Sequence, residues 1–334
     1  MRNQWYVAAL AADLKRKPVP ATILGERIVL FRDEKGEARA LADRCPHRNV
    51  QLSLGKVEDG RLHCAYHGWQ FDGQGQCVGI PSLCAGDRIP KGSQVPTYPL
   101  IEQDGYLWVF MGESPRGLPY RIPHVGERGW GESRIEAPIP NAVENVIENF
   151  IDCCHTGYVH GGLFRTPSCK DVQTQVQQVD DGIVITIDEE AKTNSLLARL
   201  LIPKGGKVVH VDRFIMPSIV KVSYEFGHRG KIIGHQICTP VGEFETRVFV
   251  HVAWNLGLLT PLITPVVPIV GRIILNQDMG ILVNQAEQLK RQPADFVSTP
   301  ADTANLWIHA FRQKHADNPS PVSERPSKDV RFRL

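Results

Sequence analysis

Apolar and polar positions change rhythm twice along the chain. Residues 22 to 110 break into short apolar runs: Thr22-Ile23-Leu24-Gly25, Arg27 to Phe31, Ala38 to Ala42, Arg61-Leu62-His63 and Tyr106 to Phe110. Asp59-Gly60, Asp72-Gly73 and Asp104-Gly105 separate them as turns. The pattern predicts a small all-β domain of stacked sheets over residues 1–113. The Pro-rich stretch 114–123 reads as a linker. Beyond it, Val143, Ile147, Phe150 and Ile151 fall on one helical stripe within Asn141–Tyr158, and Pro140 suits the helix start. Alternation returns from Val172 to Trp254, as in Gly182–Ile187, Ile219–Tyr224 and Arg247–Trp254, and predicts an antiparallel sheet. Residues 269–293 and 301–314 read as helices. The class is therefore α+β, with a second domain over 124–315. The polar, Pro-containing tail 316–334 is expected to be loosely ordered.

Two apolar stretches test this division. The start of the chain, Met1 to Lys17, is soon interrupted by Asp13 and Lys15 and lacks a charged leader, so it reads as the first element of the domain. Gly257 to Leu275 is broken by Pro261, Pro265 and Pro268 and carries Arg272. It reads as a buried loop and helix beside a pocket rather than a membrane span.

Composition adds bounds. The 334 residues are 42% hydrophobic and 22% charged with a net charge of +2. That is ordinary for a two-domain soluble protein and argues against nucleic acid as the main partner. The eight cysteines are dispersed. They do not form the dense framework of a small secreted domain, so those not used as ligands read as reduced thiols of a cytoplasmic protein. Cys77 and Cys84 could pair, but a reducing compartment disfavours it.

The chemistry is concentrated in two loops. Cys45-Pro46-His47 and Cys64-Ala65-Tyr66-His67 each mix one thiolate donor and one imidazole, with sixteen residues between them. Such a set can hold an iron–sulfur cluster in which one iron takes two Cys and the other two His, at a higher potential than an all-Cys cluster. A tetrahedral zinc ion is the competing reading, but common zinc fingers present a Cys pair and then a His pair. With Arg48, Gly68 and Trp69 the loops read CPHR and CAYHGW, which resembles the signature of a Rieske [2Fe–2S] domain. Tyr66 and Trp69 are expected to pack around the cluster. Trp108 reads as core and His63 as a strand residue.

A second constellation lies in Glu148-Asn149-Phe150-Ile151-Asp152-Cys153-Cys154-His155-Thr156-Gly157-Tyr158-Val159-His160. His155 and His160 would diverge by about 140° on a straight helix, at about 100° per residue. They converge only if the helix ends or distorts between them, which Gly157 permits. Two His and one carboxylate with open positions form the facial triad of non-haem Fe(II) oxygenases. By spacing, Asp152 is one candidate carboxylate, with Glu148 and Glu144 further back. Asp278, in Asn276-Gln277-Asp278-Met279, is the other, and spacing does not choose between them. Cys153 and Cys154 read as helix-packing residues. His124, His210, His228, His235, His251, His309 and His315 show no ligand spacing. There are no internal repeats and no Gly-rich phosphate loop, so the electrons must come from another protein.

Over nearly its whole length the chain resembles the α-subunits of Rieske non-haem iron aromatic-ring oxygenases. The cluster loops and the N-x-x-D-x-x-H-x₄-H pattern of Asn149, Asp152, His155 and His160 carry the resemblance. The segment around Asp278 carries it more weakly, with Gln277 where an acid is common and Val283 where Glu is frequent. The resemblance implies a [2Fe–2S] cluster on Cys45, His47, Cys64 and His67, and a mononuclear iron on His155, His160 and Asp278. It makes Asp152 a bridge to His67 of a neighbouring subunit and Asn149 a polar residue near the iron. It further implies a homotrimer that uses O₂ and electrons from NAD(P)H through a reductase, and optionally a ferredoxin. Such an enzyme hydroxylates or demethylates an aromatic or other hydrophobic small molecule. The short chain is similar to the α-only branch, with its vanillate, dicamba and phthalate-type enzymes. This favours monooxygenation or demethylation over cis-dihydroxylation. A Rieske electron carrier without oxygenase activity and a zinc-bound interaction module are the alternatives of other classes. The apolar residues 196–201 and 257–275 suggest a hydrophobic pocket, and Arg165 and Arg199 read as solvated.

Overall fold

The computed structural model describes residues 1–115, 117–161, 171–187, 208–293, 295–315 and 325–333. The chain divides into two compact units, Met1–Arg121 and Ile122–Leu334, so the division falls inside the Pro-rich stretch. Residues 196–201, Arg165, Cys169 and Arg199 lie outside the described residues.

The first unit is built from β1 (Trp5–Leu10), β2 (Val19–Ile23), β3 (Glu26–Arg32), β4 (Ala38–Ala42), β5 (Lys56–Glu58), β6 (Arg61–His63), β7 (Gln70–Phe71), β8 (Cys77–Gly79), β9 (Thr97–Tyr98), β10 (Leu100–Gln103) and β11 (Tyr106–Phe110). They form three antiparallel sheets, ordered β1-β11-β10, β2-β3-β4-β9 and β5-β6-β7-β8. The opening apolar stretch is strand β1, buried from Trp5 to Ala9. Strand β3 explains why its run is apolar without alternation. Ile28 and Leu30 enter one core cluster with Tyr6, Ile23, Leu107 and Val109. Val29 and Phe31 enter another with Leu41, Leu62 and Phe71. A strand covered on both faces has no solvent side on which to place polar residues. Cys45 and Cys64 belong to the second cluster, so both Cys/His loops are rooted in core.

The second unit contains β12 (Gly131–Ile139), α1 (Val143–Ile151), α2 (Thr156–Val159), β13 (Asp171–Val179), β14 (Gly182–Ile187), β15 (Val209–Ile215), β16 (Ile219–Glu225), β17 (Lys231–Gly242) and β18 (Glu245–Asn255). Then follow α3 (Thr260–Ile263), α4 (Val267–Arg291), α5 (Thr303–Lys314) and β19 (Ser327–Arg333). One eight-stranded antiparallel sheet runs β12-β18-β17-β16-β15-β14-β13-β19. Val143, Val146, Ile147 and Ile151 of α1 share one core with Ile185, Phe214, Val220 and Val248 of the sheet. Leu275 and Leu282 of α4 and Ile308 and Phe311 of α5 complete it. Burying each such side chain contributes roughly 1.5–3 kcal/mol.

Four expectations are corrected. The helix expected over Asn141–Tyr158 stops at Ile151, because Asp152 turns to extended backbone at φ −73° and ψ 119°. Cys153 and Cys154 therefore lie in the turn between α1 and α2 rather than on a helix, and Cys153 packs at the edge of the core. The end of the polar tail is an edge strand paired with β13 from Asp171↔Arg333 to Gln177↔Ser327. Val330 is buried, while Arg331 and Arg333 on the solvent side reach Asp171. A short alternation whose outer face is charged thus reads as a polar tail although it forms a strand. The stretch 257–275 is buried only at Thr260 and Leu275: Leu258 is 96% and Leu262 70% exposed, and Val266 and Ile269 are also exposed. Among the described residues no single helix is long and apolar enough to cross a membrane; residues 257–263 and α4 meet that measure only jointly, across a 67° bend.

Candidate functional site

The two Cys/His loops repeat one backbone design. Cys45 N–H donates to Val50 O and Cys64 N–H to Trp69 O, each five residues on. Asn49 N–H donates back to Cys45 O and Gly68 N–H to Cys64 O, each from four residues on. The closing residues, Asn49 at φ 59° and Gly68 at φ 69°, are left-handed, which Asn and Gly tolerate best. Arg44 Nε holds the Asn49 amide oxygen at 2.8 Å. Buried Asp43 fixes the root of the first loop by accepting from the backbone N–H and the hydroxyl of Ser53, both at 2.7 Å.

The loops place sulfur inside and imidazole outside. Cys45 and Cys64 are buried, whereas His67 is exposed and His47 is half-buried. The two imidazole rings stand 4.5 Å apart, edge to face. Trp69 stacks on His47 at 4.8 Å and 8°, while Tyr66 is 62% exposed with its ring 3.8 Å from that of His67. Burial and the adjacent Cys64 thiol push the Cys45 thiol up to about 11, and the backbone N–H groups of His47 and Arg48 work against that rise. Donors aimed at a buried sulfur suit a metal-bound thiolate, whose charge they stabilise. The four donors therefore fit a cluster with sulfur-bound iron on the inner side and imidazole-bound iron at the surface.

In the second unit the chain leaves α1 at Asp152, whose carboxylate accepts from Cys154 N–H at 2.7 Å and His155 N–H at 3.1 Å. Those contacts start the four-residue helix α2, which ends one residue before His160. His155 and His160 thus flank one short helix, and Gly157 lies within it without distorting it. Their rings come to 5.2 Å. Helix α4 brings Asp278 against both. His160 Nε2 is 3.0 Å and His155 Nε2 3.4 Å from the same Asp278 oxygen, Oδ1. That oxygen is buried and, among the described residues, accepts no well-aligned hydrogen bond. One donor atom of each residue lies within 4.8 Å of the others. Donors about 2.1 Å from one metal ion and at right angles stand about 3.0 Å apart, so the two histidine–Asp278 spacings suit adjacent positions around one ion.

The outer nitrogens also face polar side chains, and among the described residues only that of His160 is hydrogen-bonded. His155 Nδ1 is 3.5 Å from Asp152 Oδ2, and His160 Nδ1 is 2.9 Å from Gln277 Oε1. Burial opposes charge on His155, but Asp152 and Asp278 outweigh it and raise the imidazole to about 9. Burial likewise works to raise both carboxyls, yet the histidine contacts hold Asp278 and Asp152 below the ordinary carboxylate range. A group of lone pairs that already attracts a proton this strongly is an electrostatic well for a cation.

Of the expected site residues, His155, His160 and Asp278 are brought together, and Asp152 stands behind His155 rather than among them. Asn149 is on α1 with a buried Oδ1 that accepts no hydrogen bond among the described residues. Asp152, Cys153 and Cys154 also place donor atoms within 4.8 Å, but the Asp152 carboxylate is engaged by the turn and by His155. All seven described cysteines, Cys77 and Cys84 included, are free thiols. His210 Nε2 donates to Asp212 Oδ1 at 2.8 Å and its ring stacks on Tyr224, while His235 and His251 face each other across β17 and β18. The contact that sequence reasoning did not assign is that of Gln277; its place beside Asp278 on α4 was the available signal.

Residues 4–99 match the Rieske [2Fe-2S] domain family, and residues 141–317 match the vanillate O-demethylase oxygenase C-terminal domain. Dicamba O-demethylase, oxygenase component, from Stenotrophomonas maltophilia is 33% identical over 280 residues, covering 78% of this chain and 80% of that protein. The chloroplastic protein TIC 55 of Arabidopsis thaliana is 28% identical over 329 residues, 93% of this chain. The chain spans about half the length of several curated relatives it matches, 58% in the case of TIC 55. A crystal structure of dicamba monooxygenase bound to 3,6-dichlorosalicylic acid superposes with a TM-score of 0.82 at 24% identity, covering 94% of this chain and 96% of that one, which shows a shared fold. With a Rieske domain followed by an oxygenase domain of the vanillate O-demethylase type, the chain belongs to the Rieske oxygenases, whose cofactors are a [2Fe–2S] cluster and a mononuclear iron.

Proposed function

We propose that the chain is the terminal oxygenase of a multicomponent system that hydroxylates or oxidatively demethylates an aromatic or other hydrophobic small molecule. The observation that carries the reading is the convergence of His155 Nε2, His160 Nε2 and a buried Asp278 oxygen in a chain that also buries the Cys45/Cys64 pair. Cys45, Cys64, His47 and His67 would hold the cluster, and His155, His160 and Asp278 the mononuclear iron. When bound, the iron supplies the open coordination positions at which O₂ is activated. The residues of the chain orient and exclude. Asp152 and Gln277 fix the imidazoles from behind, and the core around α1 keeps water from one side of the donors. Two metal sets in one chain distinguish this reading from an electron carrier, which needs only the first.

In this reading electrons enter from a separate reductase. Exposed His67 is the port through which they would leave the cluster. Asp152 is placed in this reading as the bridge from His155 to His67 of a neighbouring subunit, in a homotrimer. A hydrogen-bonded carboxylate there gives a short path and fixes the tautomers at both ends. Asn149 would stand as a polar group near the iron.

The test is O₂ uptake by the full chain with a surrogate reductase and NADH, over a panel of aryl methyl ethers and aromatic acids, with formaldehyde assayed alongside. Substrate-dependent uptake with a hydroxylated or demethylated product is expected. A cis-diol product would replace the proposed reaction by dihydroxylation. Cluster reduction with no substrate-dependent uptake across the panel would sink the oxygenase reading.

A further inference from the structure

We infer that Gln277 is a positioning residue for the mononuclear metal, holding His160 in the one tautomer that can bind it; the inference rests on the assignment of His155, His160 and Asp278 as the metal set. The Gln277 amide oxygen lies 2.9 Å from His160 Nδ1. A carbonyl oxygen only accepts, so Nδ1 carries the proton and Nε2 presents its lone pair. That lone pair is directed to the atom group containing Asp278 Oδ1, 3.0 Å away. Removing that acceptor takes away one constraint on the tautomer and orientation of the His160 ring, and only one arrangement puts a lone pair on the metal side.

The placement is economical. Gln277 and Asp278 are consecutive on α4, so one helix supplies a ligand and the support of a second ligand borne by another segment. That helix is pinned close by. Leu275 and Leu282 are buried in the core, and the Asn141 amide donates to Leu282 O at 2.8 Å and to Gln285 Oε1 at 2.9 Å. His160, by contrast, follows a helix of only four residues, which is too short to fix a ring by itself.

The two imidazoles are also made unequal. His160 Nδ1 is hydrogen-bonded to a neutral amide, whereas His155 Nδ1 faces the Asp152 carboxylate at 3.5 Å without an aligned hydrogen bond. A carboxylate behind an imidazole makes it the stronger donor, whereas an amide orients it without adding charge.

Fe(II) affinity of the full chain, cluster in place, reads this directly by anaerobic competition with a chelator of known affinity. Gln277→Leu is expected to bind Fe(II) about 10–100-fold more weakly than the parent, the cluster spectrum being unchanged. Gln277→Glu, which keeps an acceptor, is expected to recover affinity to within a few-fold. If Gln277→Leu does not fold, Gln277→Ala is read by the same measure. Affinity of the acceptor-free variant within twofold of the parent would overturn the inference, as would a Gln277→Glu variant as weak as Gln277→Leu. His155→Ala separates the premise: should it bind Fe(II) as tightly as the parent, the metal set itself is wrong, whereas a large loss there with no effect at Gln277 removes this inference alone.

Discussion

At the scale of single residues, the spacing of the loops mattered more than the donors alone. Cys45, His47, Cys64 and His67 were legible from the mixed Cys/His spacing and from the flanks Arg48 and Gly68-Trp69; the structure adds that Asn49 and Gly68 close both loops in left-handed backbone at the same offset from each cysteine. A Cβ at Gly68 would adopt the disfavoured φ of 69° and come within 3.0 Å of Pro81 Cγ. Gly68→Ala is therefore expected to destabilise the first unit by about 1–2 kcal/mol, read as a lower denaturation midpoint and a less stable cluster. Asn49→Gly should be close to neutral in the same assay. The choice between Asp152 and Asp278 was not legible from spacing, because a helical register placed Asp152 on the face of His155. The backbone instead extends at Asp152, and its carboxylate is taken up by two N–H groups. Local competition between an Asp side chain and the helix is invisible to periodicity.

At the scale of elements, the strands announced themselves wherever alternation or a doubly buried run was present, as in β3, β14 and β18. What periodicity missed were ends and edges: the break between α1 and α2, and β19, whose charged outer face hid Val330 and Phe332. Helix α1 is held by four buried side chains and not by a capping side chain. Ile147→Ala, in a site with no room to collapse, is expected to cost about 2–5 kcal/mol and to loosen the turn carrying His155, as seen by thermal unfolding and lower Fe(II) retention. The sheet carries a further test. His235 and His251 are register partners on β17 and β18 and are buried. Burial, then the neighbouring His251, Lys221 and His124, bring His235 down to about 3; burial and Arg134 bring His251 down to about 4. Their folded values lie below the unfolded value of about 6.5. The unfolded chain then takes up protons first, so the stability they contribute is complete above about pH 6.5 and is lost as pH falls towards 4 and 3. His251→Gln should flatten the acid limb of the stability profile between about pH 6.5 and 4, measured by urea unfolding.

At the scale of the whole molecule, two units each carry one set of metal donors, and membership of the Rieske oxygenases accounts for both in one chain. The family and class were legible from two loops and one His-rich segment. The pocket was not, because apolar residues around 257–275 signal burial by composition alone, yet apart from Leu275 they stand partly or fully exposed in the single chain. An isolated chain also has no neighbouring cluster, so the proposed transfer through Asp152 needs an assembly. Turnover by mixed oligomers, one copy lacking His67 and the other lacking His155, follows from that proposal. The most direct measurement is the iron and acid-labile sulfide content of the anaerobically purified chain beside its His155→Ala variant. The account expects about three irons and about two sulfides per chain, falling to about two irons in the variant with the cluster spectrum intact. Zinc without sulfide, or an iron content that His155→Ala leaves unchanged, would contradict it.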